Sequence, residues 1–158
     1  MIATRVPLGF CGGVLALAAL AVLSTHYVDY CINLSRSLPG TLYLVVKGGG
    51  FAQGDLVAFR WHGGANYPPG TTFIKRVVGV PGDRVRRIAR SVWVNDRYIG
   101  KAKPTSRAGV PLEPAAEGVI ASGEYFVATG NPDSLDSRYA LAGNVKQAEI
   151  IGRAYAIF

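Results

Sequence analysis

From Val6 to Val28 the chain reads "VPLGFCGGVLALAALAVLSTHYV", with no Asp, Glu, Lys or Arg. About 20 apolar residues in a helix span the hydrocarbon core of a bilayer, so this stretch is long enough to cross one. That constraint divides the chain before any other feature is considered. A cleavable signal peptide with Leu15–Leu23 as its apolar core is the other reading. The residues that follow, "LSTHYVDYC", are bulky and offer no small-x-small cleavage site. We therefore expect residues 1–30 to be a retained N-terminal transmembrane helix with short flanks and residues 31–158 to be the folded domain. Arg5 and the amino terminus favour a cytoplasmic start, which places the domain across the membrane.

The remainder is short strand-like runs separated by turn signals. "TLYLVVK" ends at Gly48-Gly49-Gly50, "DLVAFRW" precedes the polar loop "HGGANYPPG", and "SVWVNDRYIG" alternates around Asn95-Asp96 as a hairpin does. "EYFVATGN" and "EIIGRAYAIF" supply further strands, while Lys101–Gly123, rich in Pro, Ala and Gly, is expected to be a long surface loop. No sustained helical period follows residue 30. The expected fold is mainly β, a single antiparallel sheet or barrel-like domain behind one membrane helix.

The hydrophobic share of 49% with 17% charged residues excludes general disorder. A net charge of +7 admits nucleic acid, an anionic membrane surface or a solvated strand face as its explanation. The densest basic run, "RVRRIAR" from Arg84 to Arg90, lacks interleaved stacking aromatics, so no specific nucleic acid is expected. Cys11 and Cys31 are read as unpaired thiols. His26 and His62 have no metal-ligand company, so no metal or cofactor is expected.

"TFIKRVVGVPGDRV", Thr72–Val85, poses a physical problem. Its apolar residues describe a buried strand, yet Lys75 and Arg76 stand in the middle. Successive side chains leave a strand on opposite faces, so Lys75 shares a face with Phe73 and Val77. A buried ammonium is costly unless paired or neutralised, which marks this residue for chemistry.

Two other stretches accompany it: "NLSRSLPGTLY", Asn33–Tyr43, just after the apolar segment, and "GNPDSLDSR", Gly130–Arg138. The three together, in this order, resemble the type I signal peptidase family of Ser–Lys serine endopeptidases. Lys-Arg-Val-Val-Gly-Val-Pro-Gly-Asp is the most specific match. Asn33, Ser35, Ser37 and Pro39 at alternate positions, with Leu42-Tyr43 after them, look most like the TraF-type conjugative-transfer branch. The first block has Leu38 where ordinary signal peptidases commonly have methionine. The third has Asn131-Pro132 in place of the usual Gly-Asp-Asn-Arg form.

The resemblance implies that Ser37 is the nucleophile and Lys75 its general base. It implies that the Ser35 hydroxyl and the Ser37 N–H form the oxyanion hole, that Ser134 orients the lysine, and that Asp136 and Arg138 pair to support that loop. The chemistry is coherent, since a serine hydroxyl needs a base and a lysine amine serves only when neutral. In the TraF-type branch the resemblance implies a pilin precursor as substrate, with circularisation as a possible second step. It also implies inner-membrane lipid and the transfer apparatus as partners and a periplasmic domain. The alternatives are a general signal peptidase for exported preproteins, a Ser–Lys self-cleaving repressor, and a non-catalytic basic β module binding DNA or lipid.

Overall fold

The computed structural model describes residues 8–33 and 37–158. The helix α1 covers Leu8–Ser24. The strands are β1 (Val28–Ile32), β2 (Leu42–Lys47), β3 (Leu56–Arg60), β4 (Thr72–Gly79), β5 (Arg84–Ile88) and β6 (Ser91–Val94). After them come β7 (Arg97–Lys101), β8 (Gly118–Val119), β9 (Glu124–Ala128), β10 (Val145–Lys146) and β11 (Ile150–Ala156).

At 1.5 Å per residue, the 17 residues of α1 reach about 26 Å. Among the described residues no helix is long and apolar enough to cross a membrane. The sheet also begins earlier than the expected boundary at residue 30, because Val28 already pairs with Val46.

The fold is mainly β, antiparallel and barrel-like as expected, but its strands form two sheets rather than one. Among the described residues, one sheet has seven strands in the order β1-β2-β11-β3-β4-β9-β10 and the other has four in the order β7-β6-β5-β8. Every pairing is antiparallel. The larger sheet is curled and open, a half-barrel with β1 and β10 at its edges. The division follows the turn after β4, where Asp83 accepts the Val80 N–H at 2.9 Å and Gly82 takes φ +93°. Past that turn, Val85, Val92 and Val94 bury against Val78, Ile120 and Phe126, so the second sheet closes one core of the first. The Asn95-Asp96 hairpin forms as expected, with Asn95 at φ +52°.

The stretch 101–123 is not a free surface loop. Ala102, Leu112, Ala115 and Ile120 are buried, and Gly118-Val119 pairs with β5. Arg90, the last residue of the basic run Arg84–Arg90, donates Nε to the Ala102 carbonyl and Nη2 to those of Lys103 and Leu112. Non-periodic apolar residues gave no strand or helix signal, yet each still fills a core position.

β4 is the strand that positions the site. Val77 and Phe73 pack in one cluster, Ile74 in another and Val78 in a third, so both faces are covered over most of its length. Only Arg76 is exposed, and its Nη1 donates to the Gly54 carbonyl at 2.6 Å. On β11, separated from β4 by β3, Gly152 permits a close approach to β2, since a Cβ there would lie 2.0 Å from the Val46 carbonyl oxygen.

Candidate active site

Ser37 lies in the turn between β1 and β2, half-buried. That turn is pinched shut by Asn33. Its N–H donates to the Thr41 carbonyl at 2.7 Å, and its Nδ2 donates to the Leu38 and Gly40 carbonyls, each at 3.1 Å. Gly40 adopts φ +93°, and a Cβ there would come within 2.7 Å of the Phe158 carbonyl oxygen. The Tyr43 hydroxyl donates to the Pro39 carbonyl, and the Leu42 N–H to that of Phe158 at 3.2 Å. The residues that follow the serine are therefore tied to Asn33 on one side and to Phe158 on the other.

Lys75 reaches this loop from β4. Its Nζ lies 3.3 Å from Ser37 Oγ, and the residue is only 6% exposed. The Phe73 ring flanks the amine, with its centroid 5.4 Å from Nζ. Burial lowers the lysine pKa to about 8; Asp136 pulls it up and Arg138 pushes it down. Desolvation is the dominant effect because the charged form loses its water without gaining a direct carboxylate partner. The geometry brings a hydroxyl and a readily neutralised amine into hydrogen-bond reach.

Ser134 lines the same cleft as Ser37 and Lys75 and is buried. Its Oγ has no hydrogen-bond partner among the described residues, so the lysine-orienting bond expected of it is not made in this structure. Asp136 and Arg138 do come together. Arg138 grips the carboxylate with Nε to Oδ1 at 2.8 Å and Nη2 to Oδ2 at 2.9 Å, both side chains almost wholly buried. Nη2 also donates to the Asn131 carbonyl at 2.8 Å, and Asp136 Oδ2 accepts the Thr129 N–H at 3.2 Å. The pair thus braces the loop after β9 against the strand itself. Ser35, expected in the oxyanion hole, lies outside the described residues.

Two features had no sequence signal. Asp133 is clamped by Lys103 and by Arg107, the latter at 2.6 Å, which ties the 101–123 stretch to the loop carrying Ser134. Ser37 also stands where two clefts meet. One, about 780 Å³, includes Cys31, Phe73, Ile74 and Lys75; the other, about 960 Å³, includes Arg76, Arg97, Tyr98 and Ile99. The second sheet therefore supplies a wall of the site through β7.

The model of the family described as "Signal peptidase, peptidase S26" matches residues 3–158. Signal peptidase I U of Bacillus subtilis is 32% identical over 117 residues, covering 70% of this chain and 59% of its own. Signal peptidase I of Pseudomonas aeruginosa is 30% identical over 143 residues, covering 67% of this chain and 48% of its own. The chain thus spans about half the length of these relatives. A solved signal peptidase I from Enterococcus faecalis aligns with a TM-score of 0.42 at 23% identity, over 66% of this chain and 97% of that one.

Proposed function

The chain belongs to the signal peptidase family, peptidase S26, and from that premise we propose that it is a serine endopeptidase with Ser37 as nucleophile and Lys75 as general base. The observation that carries this reading is the 3.3 Å contact between Ser37 Oγ and a buried Lys75 amine whose pKa is lowered to about 8. With the amine neutral, the Ser37 O–H donates to Nζ and the oxygen attacks the scissile carbonyl carbon. The proton passes to Nζ, and the carbonyl oxygen becomes the oxyanion, for which the Ser37 N–H and the Ser35 hydroxyl are the proposed donors. The Lys75 ammonium then protonates the departing amine as the carbon–nitrogen bond breaks, leaving an acyl ester on Ser37. Water, deprotonated by the same lysine, hydrolyses that ester and restores the hydroxyl. The Asp136–Arg138 pair acts on the lysine through its charges and braces the loop that carries Ser134, as positioning residues.

The charge-free Val6–Val28 stretch supports an anchor in the bacterial inner membrane with the catalytic domain in the periplasm. A membrane-bound precursor is the fitting substrate. The pattern Asn33, Ser35, Ser37, Pro39 supports a pilin precursor of conjugative transfer, cut and in the fullest version circularised by attack of its own amino terminus on the acyl-enzyme. The relatives' name, signal peptidase I, supports a second reading, a general signal peptidase for exported preproteins.

Two experiments test this. A serine-directed acylating probe should label the full-length protein at Ser37 and leave Ser37→Ala unlabelled; equal labelling of both refutes the nucleophile. Co-expression with pilin precursors and with ordinary preproteins, read by intact mass, separates the substrate readings. A circular product weighs one water less than the trimmed linear chain, and processing of ordinary preproteins alone rejects the pilin reading.

A further inference from the structure

The two clefts that meet at Ser37 differ in charge. The one containing Lys75 also includes the Asp133 carboxylate, paired with Arg107 of the same cleft, whereas among its described residues the other contains Arg76 and Arg97 and no Asp or Glu to pair with them. Arg76 commits Nη1 to the Gly54 carbonyl, leaving Nε and Nη2 with no partner among the described residues. Arg97 is exposed at the start of β7, and among the described residues its guanidinium makes no ion pair or hydrogen bond. Two arginines lining one cleft without an acidic residue raise its positive potential, which favours a bound carboxylate.

Both clefts have apolar walls, with Leu38, Val78 and Ile99 in the arginine one, so the direction of the substrate is assigned as part of the inference, the Lys75 cleft taking the segment ahead of the scissile bond. Cys31, Phe73 and Ile74 give the Lys75 cleft the walls for small apolar residues ahead of the scissile bond. A chain with its carbonyl at Ser37 then continues into the cleft of Arg76 and Arg97. We infer that these two arginines form a subsite for an acidic side chain in the segment just after the scissile bond. This rests on the endopeptidase reading above and adds a specificity to it.

The test uses the full-length protein in detergent and peptides identical up to the scissile bond. Glu, Gln or Lys is placed in turn at each of the first three positions beyond it. The quantity read is the ratio of kcat/KM for the Glu peptide to that for its Gln counterpart. At one position we expect a preference of about three- to tenfold for Glu, as befits a partly solvated charge pair. Lys should fall below Gln there, and the preference should shrink when salt rises from about 50 mM to about 1 M. Arg97→Gln should bring the ratio towards unity, Arg97→Glu should favour the Lys peptide, and Arg87→Gln, which lines neither cleft, should keep the wild-type ratio. A wild-type ratio near unity at all three positions, with the peptides cleaved, overturns this inference and leaves the endopeptidase reading standing. An unchanged ratio in Arg97→Gln overturns it equally. Loss of binding to anionic-lipid vesicles in Arg97→Gln, with the peptide ratio intact, would assign the cleft to lipid headgroups instead. No cleavage of any peptide by the wild-type protein rejects both readings together.

Discussion

Lys75→Met should make the protein inactive and more stable, and the gain should depend on pH in a defined way. Methionine keeps most of the volume of the lysine stem and removes the amine. Lys75 is 6% exposed, and burial lowers its pKa from 10.5 to about 8, with Asp136 opposing and Arg138 assisting. Between those two values the unfolded chain holds more protons than the folded one, so wild-type stability rises as pH climbs through that window. At about 1.4 kcal/mol per pKa unit, the charged amine costs the fold about 3 kcal/mol. That cost is present in full below pH 8 and gone above 10.5. The methionine variant carries no such cost. Its stability advantage should therefore be about 3 kcal/mol larger at about pH 6.5 than at about pH 11. Urea unfolding of both proteins in the same detergent measures the difference, and other titrating groups cancel between them. An advantage that stays constant across the window, or a variant less stable than wild type at about pH 6.5, refutes the claim that Lys75 is held against its own charge.

Three other outcomes follow. Lys75→Arg keeps the positive charge but cannot surrender its proton, so it should be as inactive as Lys75→Ala, while wild-type cleavage should rise with pH along a limb near 8; activity in Lys75→Arg removes the general base. Asp136→Asn takes away the carboxylate that raises the Lys75 pKa, so that acid limb should move to lower pH, and it strands a buried Arg138, costing about 3–5 kcal/mol of stability. An unmoved limb in a folded variant separates Asp136 from the lysine. Ser35→Ala should lower kcat by about 10²–10³ with KM little changed, and full turnover would exclude its oxyanion role.

What the residues disclose and what they conceal divide along physical lines. Lys75 was legible because a cation on an apolar strand face contradicts its surroundings, and one short stretch is enough to see that. Ser37 and Ser134 have no such local contradiction; only the joint order of three blocks singles them out. The clamp by Asn33 was not legible, since its two side-chain bonds exist only once the loop has doubled back on itself. Arg97 and Tyr98 read as one end of an ordinary hairpin. The packing of Val85, Val92 and Val94 under β4 and β9 is what brings that hairpin to the cleft. The second sheet and the buried anchors in 101–123 were missed for a related reason: burial of scattered residues leaves no period to detect.

The place of β11 bears on the timing of activity. It lies between β2 and β3, which follow one another in the chain yet never pair with each other in the sheet. One half of that sheet leads to the turn of Ser37, the other holds Lys75, and β11 is the strand that fastens them together. A growing polypeptide exposes Ser37 and Lys75 long before residues 150–156 leave the ribosome. Until then the two belong to unconnected hairpins, and neither has a reason to meet the other. The topology thus delays the meeting of the two residues until β11 is in place: a chain ending before Ile150 would carry both and should leave Ser37 deaf to the acylating probe.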